Sequence, residues 1–271
     1  MVKVAFQGER GAFSEDAVII FLSEAEPLSC NSISDVFEAV LNDKTRCGVV
    51  PVENSQAGSI NETYDLLLSY PLNIIAEVNL RISHCLMALP GESLDEIKSV
   101  YSHPQALAQC GEFLKKLKAE LIPSYDTAGS AKKIKEENLK GCAAIASRRA
   151  AQIYGLEILM EKIETNVNNY TKFFVISKQE AEPAPKSKTS LVFAAKNTPG
   201  ALYDSLGAFA TRGVNLIKLE SRPSRDKPWE YIFYVDFEGH VNDKACREAM
   251  TELKQKTSFI KILGSYPRAE D

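Results

Sequence analysis

Three absences narrow the field before any motif is read. Nowhere do 18 apolar residues run together, so no membrane-spanning helix is expected. The N-terminal MVKVAFQGERG also lacks the apolar stretch of a secretory signal, which points to a soluble, cytoplasmic protein. The six cysteines (Cys30, Cys47, Cys85, Cys110, Cys142 and Cys246) contain no CxxC pair and lie far apart among mostly apolar neighbours. Free, buried thiols in a reducing compartment are expected of them, and metal binding is not. No segment gathers positive charge with aromatics, and Lys+Arg 32 against Asp+Glu 36 leaves a net charge of −4. Neither nucleic acid nor a membrane is an expected partner, and a small molecule is.

What is present is an ordinary globular balance, 45% hydrophobic and 25% charged over 271 residues, enough for one large core and a small second one. The stretch that organises the rest is residues 47–68, CGVVPVENSQAGSINETYDLLL. Gly48 to Val52 reads as a buried strand ending at Glu53-Asn54-Ser55, and Ile60, Tyr64, Leu67 and Leu68 recur behind it at helical spacing. A strand-to-helix corner of this kind is where open α/β sheets bind ligands, and the N–H groups of the helix that follows favour anions. Ordinary helix capping asks for the same residue types, so the corner is open between a small-acid site and a cap. Glu53 is its unusual member, since a carboxylate there must pair or titrate.

In chain order, a strand over residues 2–6 enters the glycine-flanked turn 8–15 and a helix over 16–22; a strand at 27–32 and a helix at 33–41, capped by Ser32 or Ser34, follow. This βαβαβα beginning predicts a mostly parallel sheet covered by helices. Residues 73–89 read as one long strand able to cross into a second lobe. Strands at 97–102, 121–124, 142–146 and 156–163 alternate with helices over 104–117, 127–137 and 148–154, and 173–176 is a strand that returns the chain to the first lobe. Pro104 suits a first helical turn, which puts His103 at another corner, as a cap or a contact. Ser147 stands to the helix after 142–146 as Ser55 stands to the one after 48–52, and two such corners facing each other would line a cleft with helix N-termini, suited to a dianion. EAEPAPKSKT (180–189) has two prolines and no apolar run and reads as a linker. Beyond it the order βαββαβ, with strands 216–223 and 231–237 bounding the Arg225-Asp226-Lys227-Pro228 loop, predicts an antiparallel sheet with both helices on one face and an edge open to another copy.

GERGAFSE (8–15), PVENSQAGSI (51–60), SHPQALAQC (102–110), AAIASRRAAQIYGL (143–156) and NYTKFF (169–174), with NTPGAL (197–202) and ESRP (220–223), together resemble the ordered motifs of prephenate dehydratases that carry a C-terminal ACT regulatory domain. The resemblance covers nearly the whole chain. It implies a two-lobed, type II periplasmic-binding-protein-like catalytic domain over 1–180 (lobe 1 about 1–75 and 165–180, lobe 2 about 76–164), a linker at 181–189 and a ferredoxin-like ACT domain at 190–271. The activity implied is conversion of prephenate to phenylpyruvate, carbon dioxide and water without a cofactor or metal, with feedback by phenylalanine, in a cytoplasmic dimer or dimer of dimers (a homotetramer).

Thr171 is then the expected hydrogen-bond donor to the departing oxygen, with water or Glu53 behind it. Lys172 and Ser55 would anchor the pyruvyl carboxylate, and Asn54, Ser14, His103, Phe173 and Thr127 would complete the substrate site. Asn197, Gly200, Ala201, Leu202, Glu220, Ser221, Arg222 and Pro223 would hold phenylalanine, the helix start taking its carboxylate and Glu220 its ammonium; a surface pair of Glu220 with Arg222 is the plain alternative. One departure stands out. The family usually has Thr-Arg-Phe where this chain has Thr171-Lys172-Phe173, and lysine lacks the planar fork that grips a carboxylate twice. Two other readings remain: the same elimination on arogenate, and a non-catalytic amino acid sensor.

Overall fold

Short apolar runs near the N-terminus become parallel strands with helices between them. The computed structural model describes residues 1–224 and 230–269, so the Arg225-Asp226-Lys227-Pro228 loop lies outside the described residues. The first elements are β1 (Lys3–Gln7), α1 (Phe13–Phe21), β2 (Glu26–Cys30), α2 (Ile33–Leu41), β3 (Cys47–Asn54), β4 (Gly58–Ser59), α3 (Asn61–Ser69) and β5 (Asn73–Arg81). Next come β6 (Cys85–Ala88), β7 (Ser99–Ser102), α4 (Pro104–Gln109), α5 (Gly111–Leu117), β8 (Glu120–Pro123), α6 (Thr127–Glu136), β9 (Cys142–Ala146), α7 (Arg148–Tyr154), β10 (Glu157–Glu161) and β11 (Tyr170–Ser177). The last six are β12 (Ser187–Ala195), α8 (Ala201–Ala210), β13 (Leu216–Pro223), β14 (Tyr231–Glu238), α9 (Lys244–Lys256) and β15 (Thr257–Pro267).

The chain divides into two compact units, residues 1–63 with 78–173 and residues 64–77 with 174–271, the division falling inside α3, β5 and β11. One sheet runs β2-β1-β3-β11-β5, with β4 beside β3; β1 is parallel to both β2 and β3. Val4, Ala5, Phe6, Val49, Val50 and Val52 are buried in it, and Val36, Phe37 and Val40 of α2 are buried with them. Of the two serines weighed as caps for α2, Ser32 holds the position and forms a capping box with Asp35.

The second sheet, β10-β6-β9-β7-β8, lies wholly in the first unit, parallel across β8-β7-β9 and antiparallel across β9-β6-β10. Leu86, Val100, Ala143 and Ile145 form its core with Leu107 and Leu114 from α4 and α5. The chain thus leaves the first sheet after β5, builds the second, and returns through β11, the two-lobed arrangement the motifs imply. The expected single strand over 73–89 is two strands, broken at Ile82-Ser83-His84. That break is one of the crossings, and the returning chain lies beside it: Ile82 N–H donates to Asn169 O and Ile163 N–H to His84 O. The expected helix over 104–117 is likewise two, meeting at Cys110.

In the second unit the antiparallel sheet β13-β14-β12-β15 carries α8 and α9 on one face, where Phe209, Met250 and Leu253 pack on Leu191, Phe193, Val235 and Phe237. This is the βαββαβ order expected. Ser187, Lys188 and Thr189, read from sequence as the end of the linker, are the buried first residues of β12.

Candidate active site

Strand alternation decides which polar groups meet in the first unit. β3 does not stop at Val52 but runs through Glu53 to Asn54, then turns back so that Glu53 pairs with Ser59 and Asn54 with Gly58. The expected strand-to-helix corner is therefore a hairpin, with α3 starting only at Asn61. Successive side chains on a strand point to opposite faces. Asn54 turns inward, 6% exposed, and Glu53 to the other side. β11 repeats the pattern, with Thr171 and Phe173 buried and Lys172 half-buried between them.

A cavity of ≈ 140 Å³ opens between the two sheets of this unit. Of the expected residues, Asn54, His103, Thr127 and Thr171 line it; Phe13, Ile82, His84, Gln105, Ala106 and Gln109 complete the lining. Glu53, Lys172, Ser55, Ser14 and Phe173 do not. Ser55 Oγ donates to Asn168 O and accepts from Tyr170 N–H, tying the hairpin to the returning chain. Ser14 is buried in the first turn of α1, and Phe173 is packed in the core.

Thr171 is held by a chain of amides. Asn54 Nδ2 donates to Thr171 Oγ1 at 3.0 Å and to Asn169 Oδ1 at 2.9 Å; Asn169 Nδ2 donates to Gln109 Oε1 at 3.0 Å, which also lies 3.0 Å from His84 Nε2. Asn54 Oδ1 accepts from the N–H groups of Gln56 and Ala57, which fixes which end of that amide faces Thr171. The His84 ring stands edge-on to Phe13 at 5.4 Å, and burial pushes its pKa down, so it is neutral. Gln109 belongs to a motif quoted from sequence, but nothing in the sequence marks His84 as part of a site.

The cavity has no lysine or arginine among its described lining residues. Its positive potential comes from helix starts: Phe13 and Thr127 are the first residues of α1 and α6, and His103 caps α4, its Nδ1 accepting from Gln105 N–H. Asp126 caps α6 through Gly129 N–H, and burial raises its pKa. The turn after β1 closes one side of the cleft. Ser147 Oγ donates to Gly11 O, Arg149 pairs with Asp16, and Lys132 pairs with Glu9. Ser147 therefore faces the Gly11 turn and not Ser55. Gly11 has φ +87°, and a Cβ there would stand 2.6 Å from Ala150 Cα, so the approach needs glycine.

In the second unit a cavity of ≈ 150 Å³ lies at the start of α8, lined by Asn197, Ala201 and Leu202 with Thr198, Glu230, Tyr231 and Phe233 among others. Gly200, at φ +82°, is the N-cap. Register places Leu219, Ser221 and Pro223 opposite Val235, Phe233 and Tyr231 on the helix face of the sheet, and Glu220 and Arg222 on the other face. There Lys218 meets Glu220 at 3.3 Å, and Arg222 grips Asp65 with two bonds.

The prephenate dehydratase family model matches residues 4–181 and the ACT domain model residues 189–255. The chain is 42% identical to arogenate dehydratase/prephenate dehydratase 2, chloroplastic, of Arabidopsis thaliana, over 98% of this chain and 73% of that one. It superposes on prephenate dehydratase of Arthrobacter aurescens in complex with L-Phe with a TM-score of 0.90 at 32% identity, covering 99% and 90% of the two chains. It also superposes on GqqA, a novel type of quorum quenching acylase, with a TM-score of 0.91 at 34% identity, covering 98% of each. With both models matched in order across most of its length, this chain belongs to the prephenate dehydratase family and carries an ACT domain.

Proposed function

We propose that this protein converts prephenate to phenylpyruvate, carbon dioxide and water, regulated by L-phenylalanine at its ACT domain. One observation carries the mechanism: Thr171 Oγ1 accepts from Asn54 at the cavity wall, which leaves its own O–H to donate inward. In the reaction the bond from the ring to its carboxylate breaks and the electron pair enters the ring. The carbon–oxygen bond at the opposite ring carbon then breaks with its pair going to oxygen, which takes up a proton and leaves as water. A donor at that oxygen stabilises charge as it develops, whereas a donor to the ground-state substrate alone does not. Thr171 cannot supply the proton for good, so it acts as the donor and solvent makes up the balance. The acylase name of one relative fits this arrangement poorly, since a hydroxyl that accepts from an amide has no base to activate it as a nucleophile.

The helix starts around the cavity supply the N–H groups for the substrate carboxylates, and Lys172, on the opposite face of its strand, is not needed for them. Lys172→Met is therefore expected to leave KM for prephenate within about twofold; a KM raised about tenfold, the order of one lost charged contact, would return the anchoring role to Lys172.

At the ACT domain, the pocket at Asn197, Gly200, Ala201 and Leu202 supports binding of an amino acid carboxylate at the start of α8. Ser221 and Pro223 share that face, while Glu220 and Arg222 contribute only across a pair of chains. The edge strand β13, with Ile217 and Leu219 part-exposed, supports pairing into a dimer or dimer of dimers. Six unpaired cysteines support a reducing compartment such as the cytosol.

The deciding experiment follows phenylpyruvate by its absorbance in alkali, with prephenate and then arogenate as substrate, with and without phenylalanine. Turnover of prephenate suppressed by phenylalanine is expected, with sedimentation showing an oligomer. Turnover of arogenate alone would move the substrate assignment. No turnover of either by a folded protein that binds phenylalanine would leave a sensor.

A further inference from the structure

The hydroxyl of Thr171 can serve as a donor only if something else occupies its acceptor side, and this rests on the dehydratase reading above. Asn54 Nδ2 does so, but it has two hydrogens and three acceptors within reach: Thr171 Oγ1 at 3.0 Å, Asn169 Oδ1 at 2.9 Å and Tyr170 O at 3.1 Å. Its direction is set by whichever acceptor is best fixed. Tyr170 O is already engaged by Ser55 N–H. Asn169 is fully buried, and its amide has only one sense that works, because its Nδ2 must face Gln109 Oε1. That oxygen is in turn an acceptor on both sides, taking Asn169 Nδ2 and the proton on His84 Nε2. The His84 tautomer follows, with the proton on Nε2 and Nδ1 bare, and Nδ1 is indeed a buried atom with no partner. Reversing any member would bring two donors or two acceptors together in a buried place, which costs more than the bond itself.

We propose that Asn169 is a positioning residue for the dehydration, its amide locked by Gln109 and His84 so that Asn54 donates to Thr171 and the threonine proton points at the departing oxygen. Asn169 touches no substrate in this scheme. Its effect passes through Thr171 and falls on the chemical step, because the donor matters most when charge has built on the leaving oxygen.

The test is a double-mutant cycle on the full chain with prephenate. Asn169→Ala is expected to lower kcat by about 10- to 100-fold with KM within about twofold, the scale of a misaligned catalytic group. In a Thr171→Val background, where no hydroxyl remains to be aimed, the same change is expected to lower the residual rate by less than about twofold. Equal losses in both backgrounds would overturn the proposal and make Asn169 a merely structural residue. A second pair reads the far end of the chain should Asn169→Ala fail to fold. His84→Gln keeps an N–H within reach of Gln109 and is expected to retain at least about five times the kcat of His84→Met, a difference on the order of one hydrogen bond; equal rates in the two would also overturn it. Wild-type protein inactive on both prephenate and arogenate would sink the functional reading itself, an outcome distinct from these.

Discussion

Thr171→Val is expected to lower kcat for prephenate by about 10²–10⁴-fold, the usual contribution of one positioned donor, while KM stays within about threefold. Thr171→Ser is expected to keep most of the rate. The reasoning is geometric. Valine fills the same volume and leaves the apolar lining intact, so substrate still binds, but Asn54 Nδ2 loses the acceptor it had at 3.0 Å and the leaving oxygen loses its donor. Serine restores both with the same atom, at the cost of freer rotation, since only threonine has the second branch that holds its χ1. Steady-state rates with phenylpyruvate read in alkali distinguish the cases. A valine variant within threefold of wild type would mean that the departing hydroxide is met by water alone, and the cavity would then be a binding site whose acceleration comes from helix starts and desolvation.

The comparison of sequence with structure turns on a few residues. The βαβ alternation of the first lobe, the return strand at Phe173 and the βαββαβ order of the ACT domain were legible because strands and helices there keep one period each. Thr171, Asn54, His103 and Thr127 were legible as polar residues beside apolar strands. Glu53 and Lys172 were expected in the site and lie off its lining for one shared reason. β3 and β11 continue through them, and a strand that runs one residue further turns that residue's side chain to the other face. The break at Ile82-Ser83-His84 carries no glycine or proline and follows an unbroken β-rich run, so nothing local announced it. His84 went unread with it. Gln109 and Asn169 are brought to Asn54 by pairing across sequence separations of 60 and 115 residues, which no local pattern encodes.

Lys188 makes the same point and yields the largest stability effect expected in the molecule. Between Pro185 and the apolar run after Ser190 its neighbours read as linker, yet it is 1% exposed, with Nζ 2.6 Å from Glu77 Oε2 and 3.2 Å from Asp236 Oδ2. The rings of Phe174 and Tyr266 lie within cation–π range at 5.8 and 5.5 Å. Ser190 Oγ donates to Asp236 Oδ1 and meets Tyr266 Oη, whose pKa is driven well up by burial and then by Asp236 and Glu77, so the phenol stays neutral. One ammonium thus faces two carboxylates inside the second unit. Such a pair contributes little over a well-packed apolar core, but removing one partner leaves charge buried without its counterion. Lys188→Met is therefore expected to destabilise the protein by about 3–5 kcal/mol, read as a lower denaturant midpoint with an unchanged slope. Adding Glu77→Gln and Asp236→Asn, which remove the stranded charge and keep the shape, is expected to recover more than about half of that loss. A loss below about 1 kcal/mol in the single variant would place it in the range of an exposed ion pair and show that water reaches the cluster. Recovery in the triple variant would show instead that the lysine is retained to neutralise Glu77 and Asp236, the one on β5 and the other on β14, and not to fill space.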